Sequence, residues 1–472
     1  MSRGLRVQST QIPGLLVVDL PVHGDNRGWF KENWQRETMV AAGVPDFAPV
    51  QQNMSFNEAL GTTRGIHAEP WDKFVSVATG RVFGAWVDLR EGETFGVVVT
   101  REITPGRAVF VPRGVGNAFQ TLEPNTVYSY LVNDHWSADA QENYAFVNLA
   151  DPQLGIDWPI DLAGAEMSDN DRAHPALADC APVRPAPLLI LGARGQLGRA
   201  LVAACREREI PFEAWDRGGF DLARPESWEG RSLRGYRAVL NAAADTAVDA
   251  AEMGEGRRHT WAVNATGVSA LARRCGRDGV PLLHVSTDYV FDGERPVGEE
   301  YEVDASVAPL SVYGQSKAAG ECAVGVLDQH WIVRTSWVIG DGQNFVTTML
   351  SLAERGVDPA VVDDQHGRPT FAVDLAAGIL DLVTKGAPWG TYHVTNSGPR
   401  TTWYDFARAI FEAGGHNPNR VRAVSTGEYI GSRTGVAPRP HNAALRGQNV
   451  DPYLRVPVDW RDALERYVNA AR

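Results

Sequence analysis

The stretch LLILGARGQLGRAL, residues 188–201, decides the fold of the second half of the chain. Its first four residues are apolar and predict a buried strand, and an amphipathic pattern over 196–208 predicts the helix that follows. Gly192, Gly195 and Gly198 lie in the turn between them. Because glycine has no side chain, this turn can bring the backbone close to a pyrophosphate at the helix N-terminus. The stretch therefore predicts the first strand and helix of a nucleotide-binding sheet.

An acidic residue further along supports a dinucleotide cofactor. Asp216 follows the last glycine by 18 residues, near the position where an acid binds the ribose of such a cofactor. Arg217 beside it could instead bind a 2′-phosphate, so NADH and NADPH both stay open. A tight turn without a ligand is the alternative, and the strand–turn–helix context argues against it. The cofactor residues predicted from this unit are Gly192, Arg194, Gly195, Gln196, Leu197 and Asp216.

Apolar runs and helical patterns continue to alternate to the end of the sequence. Buried strands are predicted at 238–240, 282–285 and 331–333. This alternation is typical of a doubly wound parallel sheet, which predicts an α/β Rossmann domain with a small C-terminal substrate lobe at 185–472.

A tyrosine and a lysine four residues apart form the second signal in this half. In YGQSK, Tyr313 and Lys317 share one face if the segment is helical. A lysine so placed lowers the pKa of the phenol, which can then exchange a proton with a substrate oxygen near neutral pH. A surface pair is the alternative. Ser286 and Thr287, which end an apolar strand upstream, favour a catalytic role.

Six blocks of this half resemble, in their order, the dTDP-4-dehydrorhamnose reductases, a family of extended short-chain dehydrogenases. They are NAAADTAVDAAE (241–252), STDYVFDG (286–293), YGQSK (313–317), RTSWV (334–338), VVDDQHGRPT (361–370) and RPHNAAL (439–445). The resemblance covers nearly all of 188–472. It implies that Thr287, Tyr313 and Lys317 are catalytic and that Trp337 lies beside the sugar. It also implies further cofactor contacts at Asp221, Leu222, Ala242, Ala243 and Lys317.

The first half of the chain has a pattern of short alternating segments. Phe83, Ala85, Val87 and Leu89 share one face, as in a β-strand. Similar runs occupy 97–103, 108–111 and 126–132, with turn signals at 105–106 and 124–125. The pattern predicts an all-β antiparallel barrel or jelly roll. The segment DCAPVRPAP, 179–187, carries three prolines and predicts a linker, so the first domain is placed at 1–184.

Polar side chains gather in three segments of this strand-rich half, at 25–32, 51–55 and 64–67. Buried polar groups need partners, and a ligand is a common reason for such a concentration. Arg27, Arg64 and Lys73 add positive charge that suits a diphosphate. A metal is the competing explanation, but His67 is not followed by the HxH spacing, so no metal site is predicted.

Four blocks of this half resemble the dTDP-4-dehydrorhamnose 3,5-epimerases, which are metal-free jelly rolls of the cupin class. They are RGIH (64–67), VPRGVGNAF (111–119), DPQLGIDWP (151–159) and MSDNDRAHPAL (167–177). The resemblance, over about 11–178, implies that His67 with Asp171 is the base, that Lys73 stabilises the enolate and that Tyr130 reprotonates from the opposite face. The predicted substrate-binding residues are Arg27, Glu32, Gln51, Asn53, Arg64, Asn117 and Trp136, with Arg64 on the diphosphate.

Three departures from the epimerase pattern bear on this prediction. Asn117 stands where the family usually has histidine, Trp136 where a second tyrosine is usual, and the stretch from His67 to Lys73 is shorter. We predict an active enzyme with an altered pocket rim, and a binding-only domain is the alternative.

Composition excludes several other classes of protein. The 472 residues carry 45 basic and 58 acidic side chains, and a net charge of −13 argues against nucleic-acid binding. The four cysteines form no CxxC pair, which favours a reducing compartment. With no signal segment and no long apolar run, we expect a cytoplasmic protein without membrane contact.

Together the two resemblances imply a bifunctional enzyme of dTDP-L-rhamnose synthesis. It would epimerise dTDP-4-dehydro-6-deoxyglucose at carbons 3 and 5, then reduce the 4-ketone with NADPH or NADH. A homodimer through the jelly roll is also implied, by pairing of edge strands. Three alternatives stay open: a reductase with a non-catalytic first domain, the same chemistry on another dTDP-deoxysugar, and a regulatory subunit without activity.

Overall fold

The computed structural model describes residues 4–135, 144–228 and 230–471. The chain divides into two compact units, Met1–Pro185 and Ala186–Arg472. The segment 184–187 that joins them carries no helix or strand.

The first unit is built almost entirely of strands. They are β1 (Arg6–Ser9), β2 (Leu16–Asp19), β3 (His23–Asp25), β4 (Gly28–Phe30), β5 (Gln51–Asn57), β6 (Thr63–Ala68), β7 (Lys73–Thr79), β8 (Val82–Asp88), β9 (Val98–Ile103), β10 (Arg107–Val111), β11 (Val115–Thr121), β12 (Thr126–Val132) and β13 (Ala145–Phe146). The described part of this unit also has two short helices, α1 (Arg36–Ala41) and α2 (Asp169–Arg172), and a 3₁₀ turn at Leu177–Asp179.

Two antiparallel sheets face each other in this unit as a jelly roll. The larger has the order β1-β2-β10-β7-β12-β5 and the smaller β13-β6-β11-β8-β9. Their facing side chains form one core, in which Val75 and Val109 of the larger sheet meet Trp86 and Phe119 of the smaller. Apolar alternation on both sheets therefore buries one face of each against the other.

The outer face of the smaller sheet is also covered. Ala85, Val87 and Leu89 pack against Leu149 and Leu177 from the segments that follow β13 and α2. The face predicted at 83–89 thus lies outside the core between the sheets, because the later segments fold over it.

The second unit alternates strands and helices. Its strands are β14 (Leu188–Leu191), β15 (Phe212–Trp215), β16 (Ala238–Asn241), β17 (Leu282–Thr287), β18 (His330–Thr335), β19 (Val338–Ile339), β20 (Ala360–Val362), β21 (His366–Gly367), β22 (Thr370–Phe371), β23 (Gly390–His393), β24 (Thr401–Thr402) and β25 (Arg422–Val424). Its helices are α3 (Gln196–Glu207), α4 (Gly254–Trp261), α5 (Val268–Asp278), α6 (Val312–Val324), α7 (Phe345–Glu354), α8 (Ala372–Thr384), α9 (Trp403–Ala413), α10 (Thr426–Ile430) and α11 (Trp460–Ala471), with a π-helical stretch at Ala262–Gly267.

A six-stranded parallel sheet, β15-β14-β16-β17-β18-β23, forms the centre of this unit. Leu201 on α3 and Ile379 on α8 pack on one face, and Leu271 on α5 packs on the other. Helices α7, α9 and α11 form a separate apolar cluster around Phe406 and Leu464. The doubly wound sheet with a smaller C-terminal lobe is confirmed.

Sequence periodicity located the elements well. The strands predicted at 126–132 and 188–191 match β12 and β14 residue for residue, and the predicted helix 196–208 is one residue longer than α3. None of the described helices is long and apolar enough to cross a bilayer.

Candidate functional sites

The glycine-rich turn between β14 and α3 has the geometry that a dinucleotide needs. Gly192 has a φ of +78°, and a Cβ there would lie 2.7 Å from the backbone of Ala243 on the neighbouring β16 loop. A Cβ on Gly198 would lie 2.1 Å from the carbonyl oxygen of Gly192. The first turn of α3 has no side-chain cap, since its N-cap is Gly195. The turn is therefore packed without side chains and leaves helix N–H groups for a phosphate.

A cavity of about 430 Å³ opens beside this turn at the carboxyl ends of the strands. Its lining is formed by Gly192, Arg194, Gly195, Asp216, Arg217, Gly218, Phe220, Asp221, Leu222, Ala242, Ala243, Ala244 and Val263. The position is the one where open α/β sheets bind ligands. These residues fit NADH or NADPH: the turn and the helix N-terminus would hold the pyrophosphate, and Asp216 would lie at the ribose.

Charges of both signs line the far end of the cavity. Arg194 Nε lies 2.6 Å from the Asp216 carboxylate, and Arg194 is largely exposed. Arg217 is exposed beside the same carboxylate. A ribose 2′-hydroxyl and a 2′-phosphate thus each have a matching group here.

A tyrosine, a threonine and a lysine meet where β17 ends. Tyr313 and Lys317 are one turn apart on α6, and a hydrogen bond joins Tyr313 to Thr287. Burial raises the pKa of Tyr313, although the bond to Thr287 opposes the rise. At pH 7 the phenol therefore carries its proton and can act as an acid.

The ammonium of Lys317 contacts β17. Its Nζ donates to the carbonyl oxygen of Val285 at 2.6 Å and lies 3.3 Å from His284 Nε2. Burial lowers the pKa of Lys317 to about 8, and burial next to Lys317 holds the pKa of His284 well below its ordinary value. The net shift of the Tyr313 pKa is upward, because burial raises it and the hydrogen bond to Thr287 lowers it only in part.

Trp337, which follows β18, packs against the apolar cluster of the C-terminal lobe. Its ring stacks on Trp403 at 3.8 Å between centroids, and its φ is +43°. Gly367 lies against the indole so closely that a Cβ there would be 2.8 Å from it. The ring is thus held rigidly by its neighbours.

In the first unit, a histidine and a carboxylate meet from distant parts of the chain. His67 on β6 has its Nε2 2.8 Å from Asp171 Oδ1 on α2. Burial raises the pKa of Asp171, but the hydrogen bonds from His67 and Ser168 outweigh it and the net shift is downward. The carboxylate therefore stays ionised and fixes the imidazole tautomer that carries its proton on Nε2.

A second histidine joins this pair. His174 Nε2 lies 3.9 Å from Asp171 Oδ1, and its ring centroid lies 5.3 Å from that of His67. The three ligand atoms lie within 4.8 Å of one another, close enough to hold a metal ion. The HxH spacing does not detect such a set, because Asp171 and His174 lie three residues apart in a segment far from His67 in the sequence.

A buried lysine lies at the start of β7. Lys73 Nζ is 2.8 Å from Glu69 Oε1, and the two side chains are 5% and 12% exposed. The same Nζ lies 5.7 Å from the ring centroid of Tyr130 on β12. Burial raises the pKa of Tyr130, and the charge of Glu69 adds to the rise, so this phenol also carries its proton at neutral pH.

Polar groups on neighbouring strands surround Tyr130. Asn53, its cross-strand partner on β5, hydrogen-bonds to the phenol and accepts from Gln51 Nε2 at 2.9 Å. Arg64 is exposed on β6 and donates to Asn57 Oδ1 at 3.1 Å. The set is suited to hold a polar ligand over the lysine and the tyrosine.

The comparisons with known proteins agree with this geometry. Residues 9–179 match the family model described as dTDP-4-dehydrorhamnose 3,5-epimerase, and residues 186–472 match that of the RmlD substrate binding domain. The RmlC homolog of Streptococcus pyogenes serotype M6 is 55% identical over 183 residues, 38% of this chain and 92% of that protein. The dTDP-4-dehydrorhamnose reductase of Mycobacterium tuberculosis H37Rv is 40% identical over 283 residues, 59% of this chain and 90% of that protein.

The chain belongs to both families. Its first unit is the epimerase half and its second unit the reductase half, so the chain is a bifunctional isomerase and oxidoreductase. A crystal structure of the Bacillus anthracis dTDP-4-dehydrorhamnose reductase in complex with NADP aligns with a TM-score of 0.55 and 33% identity, over 60% of this chain and 99% of that one. The predicted family membership is confirmed, and this related reductase binds NADP, which agrees with the cofactor class predicted for the chain.

Most predicted cofactor residues of the reductase half lie together, but three do not line the cavity. Leu197 is buried in the core. Gln196 accepts from the backbone N–H of Gly340 at 2.7 Å and so ties α3 to a later loop. Lys317 lies at the carboxyl end of β17. Gly218, Phe220, Ala244 and Val263 also line the cavity and were not predicted to bind cofactor. Arg217, which the sequence offered as the alternative partner for a 2′-phosphate, lines it as well.

In the epimerase half, some predicted substrate residues lie apart from the His67 and Lys73 cluster. Arg27 pairs with Asp25 on the exposed hairpin of β3 and β4, and Glu32 is exposed just after it. Trp136 lies outside the described residues.

Asn117 has an internal role in the epimerase half. Asn117 lies on β11, opposite His67 on the neighbouring β6. Its Oδ1 accepts hydrogen bonds from Trp86 Nε1 at 2.9 Å and from the Tyr128 hydroxyl at 3.0 Å. Where the family usually has histidine, the amide therefore joins two buried donors of the barrel.

Proposed function

We propose that the chain catalyses two consecutive steps of dTDP-L-rhamnose synthesis. The first is 3,5-epimerisation of dTDP-4-dehydro-6-deoxyglucose, and the second is reduction of the 4-ketone with NADPH or NADH. The observation that carries the proposal is that each half holds its own acid–base set. His67 with Asp171 lies in one half, and Tyr313 with Thr287 lies in the other.

In the epimerase half, His67 would remove the protons next to the ketone. Because Nε2 faces Asp171, Nδ1 is the nitrogen that would accept each proton, and Asp171 would stabilise the imidazolium that forms. The buried ammonium of Lys73 would face the enolate oxygen, where positive charge favours the transition state. Tyr130 would return a proton to the opposite face of each carbon, which inverts its configuration.

In the reductase half, Tyr313 would protonate the oxygen at carbon 4. The nicotinamide cofactor, when bound in the cavity at Gly192, supplies a hydride to the same carbon. Thr287 would hold the ketone oxygen within reach of the phenol, and Trp337 would cover the sugar from the lobe side. Lys317, which is held by the carbonyl oxygen of Val285, would hold the ribose of the nicotinamide.

A coupled assay in D₂O tests both halves. The chain is mixed with dTDP-4-dehydro-6-deoxyglucose and NADPH or NADH, cofactor oxidation is followed by absorbance, and the product is analysed by NMR. We expect dTDP-rhamnose with deuterium at carbons 3 and 5. His67→Ala should abolish the deuterium, and Tyr313→Phe should abolish reduction while exchange continues. Cofactor oxidation without deuterium in the wild-type chain would show that the first half only binds.

We further propose a homodimer through the epimerase half. Strand β5 is an edge of the larger sheet and exposes Met54 and Phe56, and the β3–β4 hairpin exposes Trp29 and Phe30. An apolar edge of this kind is normally covered. Sedimentation equilibrium should give twice the chain mass, and Met54→Glu with Phe56→Glu should give a monomer. A monomeric wild-type chain would contradict the proposal.

We also propose that the enzyme is cytoplasmic. All four cysteines are free thiols, which suits a reducing compartment. Fractionation of cells that express the chain should recover both activities in the cytoplasmic fraction, and recovery outside the cytoplasm would contradict this assignment.

A further inference from the structure

Lys73 and Glu69 form a deeply buried ion pair in the epimerase half. The ammonium of Lys73 lies beside the ring of Tyr130. Lys73 begins β7, and Glu69 lies four residues earlier in the loop after β6. Their charged atoms are 2.8 Å apart, and neither side chain is more than 12% exposed. Nothing in the family resemblance gave Glu69 a role.

The position of Glu69 is fixed from its other side as well. The indole Nε1 of Trp71 donates a hydrogen bond to Glu69 Oε2, while Oε1 faces Lys73. The side chain of Trp71 is buried and packs edge-on against Tyr144. Both carboxylate oxygens are thus engaged, and the carboxylate cannot turn away from the lysine without losing a buried hydrogen bond.

The charge of Glu69 also acts on the phenols of the site. Burial raises the pKa of Tyr130, and the next cause of the rise is Glu69. Among the described residues, the charge of Glu69 raises the pKa of Tyr128 and Tyr130 on β12 and of Tyr144 before β13, in each case after burial. Arg64 opposes Glu69 at Tyr130, since its positive charge favours the phenolate.

Lys73 depends on this carboxylate for its charge. Burial lowers the pKa of Lys73, and the charge and hydrogen bond of Glu69 raise it. Among the described residues, Glu69 is the carboxylate in an ion pair with Lys73. If Glu69 is removed, the buried ammonium loses this partner, and the pKa of Lys73 falls further.

We propose that Glu69 is a positioning residue of the epimerase site, whose carboxylate holds the Lys73 ammonium charged beside Tyr130 and keeps the Tyr130 phenol protonated. One buried charge would thereby set the two states that epimerisation requires, a cation for the enolate oxygen and a phenol that can donate a proton. This inference rests on the proposed epimerase function.

The test compares the pH dependence of epimerisation in the full chain for the wild type, Glu69→Gln, Glu69→Asp and a matched control, Glu58→Gln. Glu58 is an exposed carboxylate of the same half. The rate is deuterium exchange into dTDP-4-dehydro-6-deoxyglucose, and reduction of dTDP-4-dehydrorhamnose by the same preparations shows that each chain is intact.

We expect Glu69→Gln to lower kcat about 10-fold or more, with a smaller change in KM. The alkaline limb of its pH–rate profile should move to lower pH by about 1 unit or more, because both Lys73 and Tyr130 lose their protons at lower pH. In Glu69→Asp the alkaline limb should return most of the way to its wild-type pH. The pH–rate profile of Glu58→Gln should match that of the wild type. If Glu69→Gln does not fold, Glu69→Met, an uncharged side chain of similar length, should show the same shift.

Three results would overturn the inference. A neutral variant whose alkaline limb stays at the wild-type pH would show that Glu69 is only structural. Loss of exchange at one carbon alone would make Glu69 a base. Absence of exchange in the wild type, with reduction intact, would overturn the proposed epimerase function and this inference with it.

Discussion

His67 Nε2 and Asp171 Oδ1 lie 2.8 Å apart although 104 residues separate them in the sequence. The contact forms because the short helix α2 packs against β6 of the smaller sheet. Ser168, the N-cap of α2, accepts from the backbone N–H of Asp171 and fixes the start of the helix. The orientation of the imidazole therefore depends on a cap residue as well as on the carboxylate.

Replacing this carboxylate should disable the epimerase half alone. Asp171→Asn keeps the size of the side chain but removes the charge that stabilises the His67 imidazolium, so we expect deuterium exchange to fall by about 10²-fold or more. Reduction of dTDP-4-dehydrorhamnose should be unchanged. Asp169→Asn, an exposed change on the same helix, is the matched control. Equal loss in both variants would indicate that the helix, and not the carboxylate charge, matters.

Arg217 should decide the preference for the phosphorylated cofactor. It is exposed beside the cavity, where a 2′-phosphate would extend from the ribose at Asp216. We expect Arg217→Ala to lower kcat/KM for NADPH by about 10-fold while NADH changes by less than about 2-fold. Asp216→Asn should raise the NADPH-to-NADH ratio, since it removes a negative charge from the phosphate. The control is Arg277→Ala, an exposed change for which we expect an unchanged NADPH-to-NADH ratio of kcat/KM. The same unchanged ratio in Arg217→Ala would show that Arg217 does not contact the cofactor.

A side chain at Gly192 should close the cofactor turn. A Cβ there would lie 2.7 Å from the Ala243 backbone, and the φ of +78° is unfavourable for alanine. Gly235 has a similar φ of +91° but open space around it, so Gly235→Ala isolates the backbone cost, about 1 kcal/mol. We expect Gly192→Ala to weaken NADPH binding by at least about 10-fold, measured by fluorescence titration. Equal effects in both variants would assign the loss to backbone strain.

Asp288 should make the reductase half less stable as pH rises. Burial raises the pKa of this carboxyl to about 7 from 3.8, and the hydrogen bond from Thr287 offsets only part of the rise. Between these two pH values the folded state binds the proton and the unfolded state does not. The contribution of Asp288 to the free energy of unfolding is therefore fully present below about pH 4 and is lost as pH rises towards 7.

Asp288→Asn should remove that loss. We expect the variant to be more stable than the wild type at pH 7 by roughly 2 kcal/mol or more, with the difference shrinking towards pH 4. Chemical unfolding at several pH values measures it, and the exposed Asp304→Asn is the control. A difference that does not vary with pH would contradict the prediction.

The local patterns of the sequence determined much of this protein. Period-2 alternation gave β12, the apolar run and its glycines gave β14 and the turn before α3, and YGQSK placed Tyr313 and Lys317 on one helix face. These features depend on backbone geometry within a few residues, which is why they can be predicted without knowing the rest of the fold.

The tertiary structure alone decided which side chains meet. Sequence analysis gave Glu69 no role, yet the fold buries it against Trp71 as the partner of Lys73. Asp171 and His174 meet His67 from a segment about 100 residues later in the sequence, and Gln196 holds a loop at Gly340. Contacts of this kind depend on strand register and burial between segments far apart in sequence, and no local periodicity encodes either.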